Sequence, residues 1–299
     1  MINPFPTAHD LLQSAPYPVP RKCLIFAEIG INHNGDLATT RALIDMAKTA
    51  GCDAVKFQKR TLDIVYTPEV LATPRQSPWG TTTREQKAGL EFGKKEYDAI
   101  DAYCREKGIA WFASAWDIPS QDFLKQYDLP YNKIASAMAT HLEFVEHVAK
   151  EKKPTFLSVG MCSYEDVDKA VATLNKQDCP FVLMHTVSTY PSSEEDLNLR
   201  VIHELRQRYG VPTGYSGHEP SVSPSVMAAV LGAVVIERHI TLDRAMYGSD
   251  QAASLEKIGL ESMVAQIRKI PVVLGDGVKR ITPAEVSVAS KLRYWPVGT

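Results

Sequence analysis

Eight short apolar runs punctuate the chain, at Leu24–Ile29, Ala54–Gln58, Ala110–Ser114, Tyr131–Ser136, Thr155–Val159, Phe181–Thr186, Pro212–Ser216 and Val234–His239. Between them lie segments of helical periodicity, among them Thr39–Ala50, Lys94–Lys107, His141–Lys150, Tyr164–Leu174 and Leu197–Tyr209. Runs that are almost continuously apolar fit parallel strands covered on the outside, and the periodic segments fit the amphipathic helices that cover them. Eight such units is the number that closes a (β/α)8 barrel, so the chain reads as an α/β protein of that class. Gly51, Gly108 and Gly210 each fall between a helix and the next strand, where a left-handed helix cap belongs. The rival architecture, an open doubly wound sheet, calls for a glycine-rich phosphate turn after the first strand, and Gly30–Asp36 matches none.

The barrel is expected to occupy residues 21–285, after a proline-rich arm (1–20) and before a short coda (286–299). A tail helix over Gly259–Ile270 completes the eighth unit. The segment Arg60–Glu91 breaks the repeat; with Pro68, Pro74 and Pro78 it reads as an excursion over the barrel mouth, a usual place for a lid or specificity loop.

A length of 299 residues with 44% hydrophobic and 23% charged residues is ordinary for one large domain. A formal net charge of -2 leaves no basic field for nucleic acid, so the expected partner is a small molecule. Five cysteines without CxxC spacing point to reduced thiols. With no signal-like or membrane-spanning run, the expected location is the cytoplasm, with no membrane partner.

In such a barrel, polar residues at the C-terminal strand ends face the active site. Those ends supply Glu28, Lys56, Gln58, Ser114, Lys133, Ser136, Ser158, His185, Ser188, Tyr190, Ser216, His218, Glu237 and His239, with Asn32–Gly35, Lys59, Arg60 and Asp117 close by. Two lysines among several hydroxyls make an anion cradle, the lysines giving charge and the serines donating to oxygens. His218 and His239 end neighbouring strands and form a candidate pair of imidazole ligands, although two histidines with separate structural duties fit the spacing as well.

Seven stretches together resemble the sialic acid synthase family: Ala27–Gly35, Lys56-Phe57-Gln58, Lys133–Ser136, Ser158–Met161, His185–Pro191, Gly214–His218 and Glu237–Arg244. Enzymes of that family condense phosphoenolpyruvate with an aldose to give a 3-deoxy-2-keto sugar acid. The resemblance implies a divalent metal, most often Mn2+ with Mg2+ or Co2+ as alternatives, on His218 and His239. It implies phosphoenolpyruvate on Lys56, Lys133, Ser136, Ser158 and Ser216, with Ser188 where the family often has asparagine. It implies Gln58, Tyr190 and Asp250 near the sugar, Glu28 as an acid near the metal and reacting carbons, and a homodimer. Ser114 joins the substrate-binding set as a strand-end hydroxyl.

Two departures qualify the resemblance. No stretch matches the family's C-terminal antifreeze-like domain, so closure is expected from Arg60–Glu91. Where sialic acid synthases place a glutamate that contacts the amino sugar, this chain reads Ala137-Met138, which predicts an acceptor other than N-acetylmannosamine. The alternatives are a synthase of the 3-deoxy-octulosonate type, a non-catalytic sugar-phosphate-binding barrel, and an aldolase using Lys133 as a Schiff base.

Overall fold

In the computed structural model, residues 22–295 are described; the expected arm at 1–20 and the last four residues of the coda lie outside them. The eight expected runs all form strands: β1 (Leu24–Gly30), β2 (Ala54–Lys59), β5 (Ala110–Ala115), β6 (Asn132–Ile134), β7 (Thr155–Ser158), β8 (Phe181–Thr186), β9 (Thr213–Gly217) and β10 (Val235–His239). They pair in parallel and close on themselves in the order β1-β10-β9-β8-β7-β6-β5-β2, so the (β/α)8 barrel is established. Strand β6 is shorter than expected: the chain leaves the sheet after Ile134, and Ser136 opens a 3-10 turn over Ser136–Met138.

The covering helices are α1 (Leu37–Ala50), α5 (Lys94–Lys107), α6 (Ile118–Leu124), α7 (Leu142–Ala149), α8 (Tyr164–Lys176), α9 (Val201–Tyr209), α10 (Ser223–Val230) and α11 (Lys257–Leu274). Gly51, Gly108 and Gly210 end α1, α5 and α9 with φ of 89°, 63° and 65°, a conformation that costs glycine nothing. The excursion from Arg60 to Glu91 is more ordered than expected. It holds α2 (Leu62–Val65), α3 (Pro68–Leu71), an antiparallel hairpin of β3 (Pro74–Ser77) and β4 (Gly80–Thr82), and α4 (Thr83–Leu90), started by a Thr82/Glu85 capping box. The expected coda is likewise helical: α12 (Pro283–Leu292) has a Thr282/Glu285 capping box and runs across the expected boundary at 285. Among the described residues, no helix is long and apolar enough to cross a membrane.

Side chains on a barrel strand alternate between the lumen and the helices. The outward set packs into one large cluster with the helices, including Ile25, Ala27, Val55, Phe57 and Leu157. The inward set forms a second, smaller core from Leu24, Phe26, Phe112, Tyr131, Phe156 and Met184. Phe26 meets Phe112 and Phe156 edge-on, each at 4.9 Å between ring centroids. This aromatic floor fills the N-terminal half of the barrel, and each strand carries polar chemistry two residues further on.

Candidate active site

Counting two residues up from the floor, Phe26 leads to Glu28, Ala54 to Lys56, Phe112 to Ser114, Tyr131 to Lys133 and Phe156 to Ser158. Met184 leads likewise to Thr186, Gly214 to Ser216 and Val235 to Glu237. All eight of these upper residues line one cleft, with about 160 Å3 of free volume, beneath Gln58, Trp116, Ser136, Ser188, Tyr190, His218 and His239. The cleft gathers every residue expected to bind substrate or metal except Asp250. That side chain stands just behind the rim, with Oδ2 3.7 Å from Nδ1 of His239.

Four buried charges occupy the cleft floor. Lys56 Nζ lies 2.8 Å from Oε2 of Glu28, 3.6 Å from Oε1 of Glu237, and donates to Ser114 Oγ at 3.0 Å. Lys133 Nζ donates to Ser158 Oγ at 2.5 Å and stands 4.0 Å from the same Glu237 oxygen. Glu237 also accepts from Ser216 Oγ at 3.1 Å. Burial works against the Lys56 ammonium, but Glu237 and then Glu28 outweigh it and hold its pKa above the ordinary lysine value. Lys133 is buried too, is offset only in part by Glu237 and Glu28, and is repelled by Lys56; its pKa is pushed down to about 8. The Glu237 carboxyl feels the same burial, but Lys133, Lys56 and His239 overcome it and keep it anionic.

Above the floor, the rings of His218 and His239 stand 5.3 Å apart, and Tyr190 lies over His218 at 4.0 Å. Nδ1 of His218 bonds the Val187 carbonyl at 2.7 Å, which makes that nitrogen the donor and leaves Nε2 with a free lone pair. Burial, reinforced by His239, lowers the His218 pKa to about 3, so the ring is neutral. Nδ1 of His239 is buried without a hydrogen-bond partner. Two imidazoles, His218 neutral with Nε2 free and His239 with an unspent buried nitrogen, fit an open divalent-metal site that keeps positions for other ligands. No group of three or more His, Cys, Asp or Glu side chains suited to a metal occurs among the described residues.

The hydroxyls on the β6–β8 side depend on one glycine. A Cβ at Gly160 would lie 2.4 Å from Ser188 Oγ and 3.0 Å from Ser136 Oγ, and the Gly160 N–H donates to Ser136 at 3.0 Å. On the opposite side, Gln58 donates to Oε1 of Glu28 at 2.9 Å and accepts from Arg60, whose guanidinium lies 4.7 Å over the Trp116 ring and 3.3 Å from Glu91. The base of the excursion is thereby tied to the cleft.

Other strand-end residues have structural duties. His33 stacks on Phe92 at 4.0 Å and accepts from the Gly35 N–H, and burial lowers its pKa to about 3. Asn32 bonds the Ile240 carbonyl and Ser254; Asp117 caps α6; His185, next to inward Met184, turns outward to the Leu197 carbonyl. Glu237, Thr186 and Trp116 line the cleft but had no assigned role from sequence. Glu237 stood among the strand-end residues, and the alternation that puts Val235 in the lumen is the signal that it faces the cleft.

The profile of the NeuB family matches residues 43–279. N-acetylneuraminate-9-phosphate synthase of Homo sapiens is 38% identical over 273 residues, covering 90% of this chain and 76% of that one. N,N'-diacetyllegionaminic acid synthase of Legionella pneumophila is 33% identical, covering 91% and 78%. The crystal structure of the N-acetylneuraminic acid (sialic acid) synthetase of Leptospira borgpetersenii, in complex with citrate, superposes with a TM-score of 0.79 at 31% identity, covering 92% and 93%. A truncated 3-deoxy-D-arabino-heptulosonate 7-phosphate synthase of Thermotoga maritima shares the fold, with a TM-score of 0.65 at 14% identity. With a profile match over most of its length and relatives aligned along nine-tenths of it, the chain belongs to the NeuB family, that of the sialic acid synthases.

Proposed function

We propose that this chain is a C–C bond-forming transferase that condenses phosphoenolpyruvate with an open-chain aldose, giving a 3-deoxy-2-keto sugar acid and phosphate. The observation that carries the reading is Lys56 and Lys133, both buried and each bonded to a strand-end serine, directly beneath the His218–His239 pair. Lys56 and Lys133 take the trianionic ester's charge, and Ser136, Ser158, Ser188 and Ser216 donate to its oxygens. His218 and His239 would hold a divalent metal, for which Mn2+ is our first choice, and a metal bound there would supply Lewis acidity to polarise the aldehyde. C3 of the enol ester attacks the aldehyde carbon, and positive charge develops at C2, where the Glu28 carboxylate stabilises it. Water adds at C2, and loss of inorganic phosphate leaves the 2-keto acid. Gln58, Tyr190 and Asp250 orient the sugar. Holding both reactants in one rigid mouth removes an entropic barrier of up to roughly 7–11 kcal/mol.

We take the acceptor to be different from N-acetylmannosamine, because Ala137 and Met138 offer no carboxylate at the rim. The unpaired cysteines support a reducing, cytoplasmic setting. The test is phosphate release from phosphoenolpyruvate with Mn2+ across a panel of aldoses, beside His218→Ala and His239→Ala. Release that requires an aldose and both histidines is expected; release without either requirement overturns the reading, and a maximum with N-acetylmannosamine overturns the acceptor.

A further inference from the structure

A second hollow, of about 480 Å3, opens beside the cleft, and Trp116 and Ala137 border both. Its walls are Ile64 and Val65 from α2, Ile118 and Pro119 from the start of α6, and Met138 and Phe144 on the far side. Two features suit this groove to an apolar group. Ile64 leaves 57% of its surface in solvent at the lip, although a large aliphatic side chain gains by being covered. Two of the polar side chains along the groove are already engaged: Asp117 accepts from the Thr61 and Ser120 N–H groups at 2.6 and 2.7 Å, and His141 Nδ1 accepts from the Phe144 N–H at 3.0 Å, while Trp116 Nε1 is buried without a partner. No lysine or arginine lines it, and Glu143 does, so a phosphate or carboxylate is disfavoured there.

Resting on the proposed synthase reading, we infer that the groove is a specificity pocket for a neutral, apolar substituent on the acceptor sugar, an N-acyl chain longer than acetyl. The occupant follows from continuity. The cleft is the smaller of the two spaces and would also hold the anion, so a substituted aldose over His218 and His239 extends out of it, toward the groove with which the cleft shares Trp116 and Ala137 as walls. The pyruvyl half stays on the lysines, away from these walls.

The test measures kcat/KM with mannosamines bearing N-acetyl, N-butanoyl and N-hexanoyl groups, and calorimetric binding of the same sugars in the presence of phosphoenolpyruvate. Each buried methylene is expected to raise kcat/KM about fourfold. Ile64→Asp, at an exposed site, is expected to abolish that gain while leaving phosphoenolpyruvate affinity and the rate with unsubstituted mannosamine unchanged. Val65→Trp, which fills the groove, provides the second variant. A flat or falling dependence on chain length, or one insensitive to both variants, overturns the inference. Binding that strengthens with chain length but gives no phosphate release upholds the groove and overturns the synthase reading instead.

Discussion

Arg238 donates to Oε1 of Glu219 at 3.0 Å, and neither side chain has any exposed surface. Each stands next to one of the paired imidazoles, Glu219 after His218 and Arg238 before His239. Arg238 also donates to Ser225 Oγ at 2.8 Å and the Ser221 carbonyl at 2.9 Å, while Glu219 Oε2 accepts from Tyr215 at 2.7 Å. Gly217 makes room for the carboxylate, since a Cβ there would lie 2.7 Å from Oε2. The bridge fastens the loop after β9 to β10 and so fixes the separation of the two rings.

Removing one partner of a buried pair leaves an uncompensated charge, at a cost of about 3–5 kcal/mol. Arg238→Met is therefore expected to lower the melting temperature sharply. The double change Arg238→Met with Glu219→Met is expected to recover much of that stability, yet to bind Mn2+ at least tenfold more weakly in calorimetry. Native metal affinity in the double variant would show that the bridge does not set the ring spacing.

The lysines predict a pH dependence with a definite sign. Lys133, with a pKa near 8, loses its proton as pH rises through that value, whereas Lys56 is held above the ordinary range. Phosphoenolpyruvate affinity is expected to fall toward a slope of tenfold per pH unit above about 8. Lys133→Arg, always charged, is expected to flatten the profile at whatever affinity it retains. In the unliganded protein the same group makes folding more favourable as pH rises from about 8 toward the unfolded value, because there the unfolded chain binds more protons. A native affinity unchanged up to pH 9.5 would contradict the assignment.

The excursion from Arg60 to Glu91 rests on a tight backbone contact. A Cβ at Gly35 would lie 2.1 Å from the Gly89 carbonyl oxygen, and one at Gly89 would lie 2.1 Å from Cγ of Trp79, which in turn meets Tyr247 at 5.7 Å. Gly89→Ala is expected to unseat α4 without disturbing the barrel core. The Michaelis constant for the aldose should rise at least tenfold, with phosphoenolpyruvate affinity within twofold of native. Equal losses for both substrates would mean that the segment serves the whole cleft, not the acceptor.

The barrel was legible because its signal is local and repeated: eight apolar runs, helices between them, and glycines such as Gly51 at the joints. The site residues were legible as strand-end chemistry, yet sequence order did not say which way each side chain points. His185 and Thr186 are neighbours on β8, and alternation sends one to the Leu197 carbonyl and the other to the cleft. His33 lies close to a strand end in sequence, yet its ring stacks on Phe92 instead of entering the cleft. The groove is contributed by residues 64–65, 116–119 and 137–144, a long-range juxtaposition with no local pattern. The capping boxes at Thr82 and Thr282 were local signals for helices α4 and α12 in segments read as irregular.

Glu237 is the residue for which sequence and structure differ most in weight, and it supports the last prediction. Its Oε1 serves Ser216 and stands within 4.0 Å of both cleft lysines, while Oε2 is buried without a partner. With Glu28 it keeps the unliganded floor near electrical neutrality, and an arriving trianion must compete with it for the same two ammonium groups. Glu237→Gln leaves the shape but removes that charge, so Lys133 loses its counter-ion and the floor carries an excess positive charge in low dielectric. The variant is expected to melt several degrees below native when empty. Inorganic phosphate or phosphoenolpyruvate, filling the vacated electrostatic role, should then raise its melting temperature more than they raise that of the native protein. The opposite ordering, with native protein gaining more from the anion, would mean that Glu237 assists anion binding and is not displaced by it.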